Sequence, residues 1–246
     1  VKTVRLERDH PKEIRGRYNR YLAYVFAKKN GVWKNYNLEC VRAGMSPYFT
    51  KYSYSRRFHR EFVEAQEYAK QKQLGIWDPK KKHYPDYELR IRWWNARADF
   101  IKKFEEEAKA HHEADPKAPR KFIALTNWDA LRHLSANVGK EVIILATVGR
   151  IKLGDRGPTR VMLARRRGAD FPLIFWDKDV FGSSKIARFK GEFVRVKGRV
   201  SKWYNKYRQR EELQMVISLP TQITGSDKGP DFSKWHPEKP RGERDY

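Results

Sequence analysis

The sequence contains a single cysteine and no long apolar run, and both absences exclude classes of protein. Cys40 has no partner for an internal disulfide and no second cysteine with which to form a zinc site. No segment is apolar over the ~20 residues that a membrane-spanning helix needs. No basic helix has the clean apolar face that would hold it on a membrane surface. We therefore expect no membrane partner.

Carboxylates are also absent where metal or acid–base chemistry would need them. Asp9, Glu13 and Glu39 are scattered along the chain, without the spacing of a catalytic pair. The segment His111-His112-Glu113, with Asp115, has the residue types of a metal site, but adjacent side chains on a helix point apart. We expect no metal ligand set in this chain.

Positive charge is abundant by contrast. Lysine and arginine total 54 against 30 acidic residues, which gives a formal net charge of +24 and a pI near 10.1. An excess of this size concentrates polyanions, and DNA or RNA is the usual one. The aromatic content of 14% argues against a disordered chain. Nucleic acid is the expected partner, and a merely basic, soluble surface is the alternative.

The first third of the chain has the pattern of strands followed by helices. Residues 1–7 alternate as a strand does, and residues 21–26 are uniformly apolar or aromatic, as in a strand buried on both faces. Asn30-Gly31 is a strong turn signal. A short helix over residues 37–43 is expected to be capped by Asn37 and ended by Gly44. The helical stripe of a longer second helix is Phe58, Phe62, Ala65 and Ala69.

Three motifs follow one another in this region. They are Tyr18-x-Arg20-x-Leu22-Ala23-Tyr24, Asn37-Leu38-x-x-Val41-Arg42-x-Gly44 and Leu74-Gly75-Ile76-Trp77. In this order and at this spacing they resemble the second half of the thermonuclease (staphylococcal nuclease-like) family, over roughly residues 1–78. Asn19 stands where the family usually has glycine, and asparagine tolerates the left-handed conformation that this position implies.

The resemblance implies phosphodiester cleavage with calcium as cofactor, carboxylates that hold the ion and handle water, and two arginines. It matches Arg20 to the second catalytic arginine, and Arg17 and Tyr18 to nucleotide contacts. Tyr48 and Tyr52 fall near the base-contacting aromatics of the family. A surface arginine paired with Glu13 or Asp9 is the alternative for Arg20.

The calcium ligands and the first arginine belong to the first half of that family. We expect them from a segment before Val1, which is either cleaved off or present as a separate chain. Residues 1–26 supply only two strands of a five-stranded barrel, so we expect an apolar groove there with unpaired strand edges.

The middle of the chain is expected to be helical. The pattern predicts one helix over residues 87–113, with Glu105-Glu106-Glu107 on the face opposite an apolar side, and a short capped helix over residues 126–134. The apolar side is expected to contain Leu89, Trp93 or Trp94, Ala96, Phe100 and Phe104.

From Gly139 the pattern changes to strands. Five are predicted, with a helical insert at residues 183–189 between the third and the fourth; they cover residues 141–148, 159–163, 171–176, 191–200 and 213–219. This order matches the five-stranded Greek-key OB barrel, whereas an immunoglobulin-like sandwich needs about seven strands.

The hairpin between the last two strands combines aromatic and basic residues. OB domains commonly hold single strands with this loop, stacking bases on aromatic rings and pairing cations with phosphates. The alternative is an exposed basic hairpin with Trp203 packed on the barrel. The candidates are Lys202, Trp203, Tyr204, Lys206, Tyr207, Arg208 and Arg210. Arg165-Arg166-Arg167 is a second cluster, which we interpret as general electrostatics.

The predicted fold class is α+β, mainly β with α. A partial nuclease-type barrel spans residues 1–78, a helical linker 79–135, an OB barrel 136–225 and an extended tail 226–246. The favoured function is a calcium-dependent nuclease whose OB domain holds the substrate. The alternative is a non-catalytic single-strand nucleic-acid-binding protein with a degenerate nuclease scaffold.

Overall fold

A computed structural model of the chain contains two sheets connected by one long helix. The structure describes residues 3–16, 18–80, 87–164, 170–206 and 208–226. The smaller sheet has three antiparallel strands in chain order. They are β1 (Val4–Glu7), β2 (Tyr24–Lys29) and β3 (Val32–Asn35). Asn30 and Gly31 make the two-residue turn between β2 and β3 with φ of 49° and 82°, as predicted.

The strand predicted at residues 21–26 begins three residues later. A tight turn precedes it, in which the Gly16 amide donates to the Arg20 carbonyl at 2.9 Å and the Leu22 amide to the Ile14 carbonyl at 3.0 Å. These bonds hold the side chains of Tyr21 and Leu22 at the surface, where they are 62% and 44% exposed. The expectation of a strand buried on both faces is therefore wrong, and in β2 only Phe26 is buried. Val4 and Leu6 of β1 are exposed too, and the groove expected along residues 1–26 stays a prediction.

Two helices pack beside this sheet, α1 (Tyr36–Arg42) and α2 (His59–Gln71). Asn35, and not the predicted Asn37, caps α1 by accepting from the Leu38 amide. The Asn37 side chain instead accepts from the Val25 amide at 2.9 Å and ties the helix to β2. In α2 the predicted residues Phe62, Ala65 and Ala69 are buried.

Gly44 and Gly75 are placed by a close approach of two backbone segments. The Ile76 amide donates to the Gly44 carbonyl at 2.8 Å, and both glycines have positive φ, 69° and 55°. A Cβ atom on Gly44 would lie 2.1 Å from the Leu74 carbonyl oxygen. Side chains at these two positions would separate the segments, and glycine is required at both.

The long helix α3 (Tyr87–Ala114) runs between the two sheets. Its apolar buried residues are Ile91, Trp94, Ala98, Ile101 and Phe104. The expected apolar side was right only at Trp94 and Phe104, since Leu89, Ala96 and Phe100 are only half-buried. The predicted apolar face follows the aromatic residues, whereas the observed buried face also contains Ile91 and Ile101.

The larger sheet closes into a barrel. Its strands are paired in the cyclic order β5-β6-β7-β9-β8 with β8 returning to β5, and only the β7–β9 pair of this ring is parallel. This is the Greek-key OB arrangement predicted from the sequence. The barrel strands are β5 (Glu141–Lys152), β6 (Thr159–Ala164), β7 (Phe171–Phe175), β8 (Phe193–Asn205) and β9 (Arg210–Val216).

Short elements complete the barrel. The predicted insert between β7 and β8 is present as α5 (Lys178–Ser183) and a 3₁₀ turn, Ile186–Phe189. The predicted helix before the barrel is α4 (Ala130–Ala136). Two strands were not predicted, namely β4 (Phe122–Ala124), parallel to β5, and β10 (Ile223–Gly225), which pairs with β8. The structure is α+β, as expected. Over the described ranges, the longest helices are too polar or too short to cross a bilayer.

Candidate nucleic-acid interface

The turn that carries Tyr18 and Arg20 is exposed and closed by its own backbone. Asn19 has a φ of 63°, the left-handed conformation that its position implied. The Arg15 guanidinium donates to the Asn19 carbonyl at 3.0 Å and lies 3.8 Å from the centre of the Tyr21 ring. The Arg20 guanidinium lies 5.6 Å from the centre of the Tyr18 ring, and Tyr18 is 55% exposed. Arg17 lies outside the described residues.

The two loop tyrosines differ in accessibility. Tyr48 is buried, stacks on Phe62 with ring centres 4.8 Å apart, and its hydroxyl accepts from the Ser55 amide at 2.7 Å. A ring held in the core in this way cannot stack on a base, so the base-contact role expected for Tyr48 is not compatible with its place. Tyr52 is half-exposed beside Phe49 and stays a candidate.

The nearby acids are occupied or buried and offer Arg20 no partner. The Asp9 carboxylate accepts from the amides of Arg56 and Arg57 at 3.0 to 3.2 Å and from the Ser55 hydroxyl. Burial raises the pKa of Glu13 to about 7. Within the described ranges no carboxylate lies at ion-pair distance from Arg20. The alternative of a paired surface arginine therefore has no support.

A metal centre does not form from these groups either. In the described part of the chain, no three His, Cys, Asp or Glu side chains are arranged to hold an ion. The Oδ1 atom of Asp9 already accepts from amide and hydroxyl donors. The calcium ion implied by the resemblance therefore does not fit the residues described here.

The barrel surface offers a second candidate site, at Trp203 near the end of β8. Trp203 is paired with Glu212 of β9 and is half-buried, with its indole Nε1 atom inside the protein, so one side of the ring packs on the barrel as in the alternative stated above. The Arg160 guanidinium of β6 lies 5.6 Å from the centre of the Trp203 ring. Tyr204 and Lys206 follow Trp203 in the chain and are exposed. Tyr207 and the cluster Arg165–Arg167 lie outside the described residues.

Three of the predicted hairpin cations are engaged by carboxylates of the same hairpin. Lys202 pairs with Glu211 at 2.8 Å. Arg208 and Arg210 both pair with one oxygen of Glu212, at 3.1 and 3.2 Å. Burial acts to raise the pKa of Glu212, but hydrogen bonds from Asn205, Arg208 and Arg210 outweigh it and lower that pKa. The hairpin is therefore less basic than its lysines and arginines alone indicate.

Arg160 is the residue of this surface that was not among the candidates predicted from the sequence. In β6, Thr159, Val161 and Leu163 are buried whereas Arg160 is exposed, so the alternation of the strand places Arg160 outside. That alternation was visible in the sequence, but nothing in it shows that Arg160 reaches a ring on β8.

Solved structures similar to this chain share low identity with it. A chain of the S. pombe Stn1-ten1 complex is 20% identical with a TM-score of 0.25, over 35% of this chain and 57% of that chain. The mitochondrial single-stranded DNA binding protein Rim1 of S. cerevisiae is 13% identical with a TM-score of 0.28, over 37% of this chain and 98% of that one. The Plasmodium falciparum SSB complex with ssDNA is 15% identical with a TM-score of 0.25, over 35% and 94%.

No curated protein matches the chain. The family model of the staphylococcal nuclease homologues matches residues 2–79, the segment in which the three motifs lie, and this match confirms the nuclease-like resemblance of the first third of the sequence.

Proposed function

We propose that this chain binds single-stranded nucleic acid on the outer face of its OB-type barrel, at Trp203. The observation that carries the proposal is the contact between the Arg160 guanidinium and the Trp203 ring, which joins β6 to β8 across the surface. Tyr204 and Lys206, which follow Trp203 in the chain, are also exposed. A strand needs aromatic faces for its bases and cations for its phosphates, and this surface provides both.

The arrangement favours a single strand because the bases of a duplex are already stacked on one another. Unpaired bases can lie on the indole ring, whereas a duplex would present mainly its phosphates. The formal net charge of +24 adds an attraction without sequence preference. Binding through phosphate contacts releases counterions, so the affinity must fall as salt rises.

Trp203→Ala tests this proposal. Fluorescence anisotropy with a labelled oligothymidine should show a loss of ~1–3 kcal/mol in binding free energy, or about 5- to 150-fold in Kd. Trp128→Ala is the matched control, since Trp128 is an exposed tryptophan close to α4, and its affinity should equal that of the parent. The proposal fails if Trp203→Ala binds as tightly as the parent, or if binding ignores salt.

Phosphodiester hydrolysis is a second candidate, favoured by the family match over residues 2–79 and by the exposed Arg20 beside Tyr18. The planar fork of a guanidinium can hold two phosphoryl oxygens at once, which an ammonium cannot. Among the described residues no group of His, Cys, Asp or Glu side chains could hold a calcium ion, so Arg20 is assigned phosphate binding and no further step.

Arg20→Ala and Arg20→Lys separate the two candidates. If the chain hydrolyses DNA, with calcium or in its absence, both variants should degrade a labelled strand at least ~100-fold more slowly, because the bidentate contact is lost. Equal rates in the parent and in Arg20→Ala would remove Arg20 from the site. If the parent leaves DNA intact with and without calcium, hydrolysis is refuted for this chain while binding at Trp203 stands.

A further inference from the structure

The carboxylate of Glu212 is surrounded by donor side chains of the hairpin. One of its oxygens accepts from the Arg208 and Arg210 guanidinium groups, and the other accepts from the Asn205 amide at 3.0 Å. Its neighbour Glu211 holds Lys202. A carboxylate and a phosphate present similar oxygens to a guanidinium, and both are bound by the same donors.

The carboxylate is the more buried member of this group and the arginines are the more exposed members. The Glu212 side chain is 20% exposed, and its residue pairs directly with Trp203 in the sheet. The Arg208 and Arg210 side chains are 58% and 64% exposed. The guanidinium groups can therefore swing from Glu212 to a phosphate without disturbing the strands, while Glu212 stays beside the tryptophan.

We infer that Glu212 is a built-in competitor of the nucleic acid, which lowers the affinity of the hairpin and selects ligands that present several phosphates. This inference rests on the proposed binding at Trp203. A ligand that replaces Glu212 must bind both arginines, because both donate to the same carboxylate. A strand can offer two phosphates at once, whereas a mononucleotide offers one. Glu212 thus disfavours single nucleotides more than strands.

The size of the effect follows from the exposure of the pairs. Exposed ion pairs are weak, so releasing two guanidiniums should improve binding of a strand only modestly, about 3- to 10-fold. Each additional phosphate that the released arginines bind should steepen the dependence of log K on log salt by ~0.7 for a single strand.

Glu212→Gln tests the inference in the full chain. A labelled 12-residue oligothymidine should bind the variant about 3- to 10-fold tighter than the parent, with a steeper salt dependence. Glu64→Gln is the matched control, because it makes the same charge change on α2, where Glu64 pairs with Arg60 at the surface. Its affinity should stay within 2-fold of the parent value.

Two further arms keep the outcomes distinct. Glu211→Gln releases Lys202 without touching Asn205, and it should give a smaller gain even if Glu212→Gln disturbs the hairpin. The affinity of thymidine monophosphate, measured by competition, should be lower for the parent than for Glu212→Gln. The inference is overturned if the parent binds and neither glutamine variant binds more tightly, or if Glu64→Gln improves equally. If parent and variants all fail to bind, it is the proposed function that has failed.

Discussion

Arg97 is the charged side chain whose removal should cost the fold most. It is 1% exposed, in the middle of α3, and forms an ion pair with the Glu192 carboxylate just before β8. Its Nε atom donates to the Lys51 carbonyl at 3.1 Å, and one Nη atom to the Gly191 carbonyl at 3.2 Å. Burial lowers the pKa of the guanidinium, and the Glu192 carboxylate opposes that shift. Arg97→Met keeps much of the side-chain volume and deletes every one of these bonds.

The expected cost follows from what is left behind. The Glu192 carboxylate would remain largely buried without its cation, and two carbonyls would lose a donor. Breaking a buried ion pair by removing one partner costs ~3–5 kcal/mol. For a chain of this size each kcal/mol lowers Tm by ~2–4 °C, so the melting temperature should fall by about 6–20 °C.

Urea unfolding and calorimetry of Arg97→Met measure this effect. The double variant Arg97→Met/Glu192→Leu should be more stable than Arg97→Met alone, because it removes the uncompensated charge. Arg60→Met is the control, since Arg60 and its partner Glu64 are both well exposed and the loss should stay below ~1 kcal/mol. A loss below ~1 kcal/mol in Arg97→Met, or a double variant no better than the single one, would refute the reasoning.

Two more predictions concern the nuclease-like third. Gly44→Ala should destabilise by more than ~2 kcal/mol in urea unfolding, because its Cβ would meet the Leu74 carbonyl, whereas Gly31→Ala, also at positive φ but with open space around it, should cost ~1 kcal/mol. Equal losses would argue against the close approach. The pKa of Glu13 is raised from 4.5 to about 7, so its proton stabilises the fold fully below pH 4.5 and this contribution is lost as pH rises through 7. Glu13→Gln should therefore change little at pH 4.5 and stabilise by ~1–3 kcal/mol at pH 8, and an equal effect at both pH values would contradict that origin.

Local backbone demands were predictable from the sequence. Asn19, Asn30-Gly31 and Gly44 adopt the positive φ that their residue types indicated, since few other residues tolerate it. The order of the barrel strands was also predictable, because alternation and turn residues are local patterns that extend over only a few positions.

Features that depend on distant partners could not be predicted. Tyr48 looks like a loop aromatic in the sequence, and only the packing of Phe62 shows that it belongs to the core. The contact of Arg160 with Trp203 depends on barrel closure, and a single sequence does not show which side chains meet across it. Glu211 and Glu212, which hold the hairpin cations, are visible in the sequence, but the sequence does not show which cations they pair with.

The acidic run of α3 shows why such partners matter for function. The sequence predicts that Glu105, Glu106 and Glu107 lie on the face opposite the apolar side. In the structure Glu105 and Glu107 instead pair with different parts of the chain. Glu105 pairs with Arg56 of the nuclease-like segment, and Glu107 pairs with Arg195 of the barrel at 3.0 Å. Glu105 and Glu107 lie eight and ten positions beyond Arg97. At 100° per residue they are therefore rotated about 80° to either side of Arg97, so the two acids point to opposite flanks of the helix.

Arg97 lies between those flanks, and it reaches the Lys51 carbonyl on the nuclease-like side and the Gly191 carbonyl on the barrel side. One helix thereby contacts both parts, the one that carries the turn at Arg20 and the one that carries the surface at Trp203. Loosening the helix with Arg97→Met should weaken any cooperation between the two sites while Trp203 binding persists, and anisotropy with oligothymidines of increasing length can measure that loss.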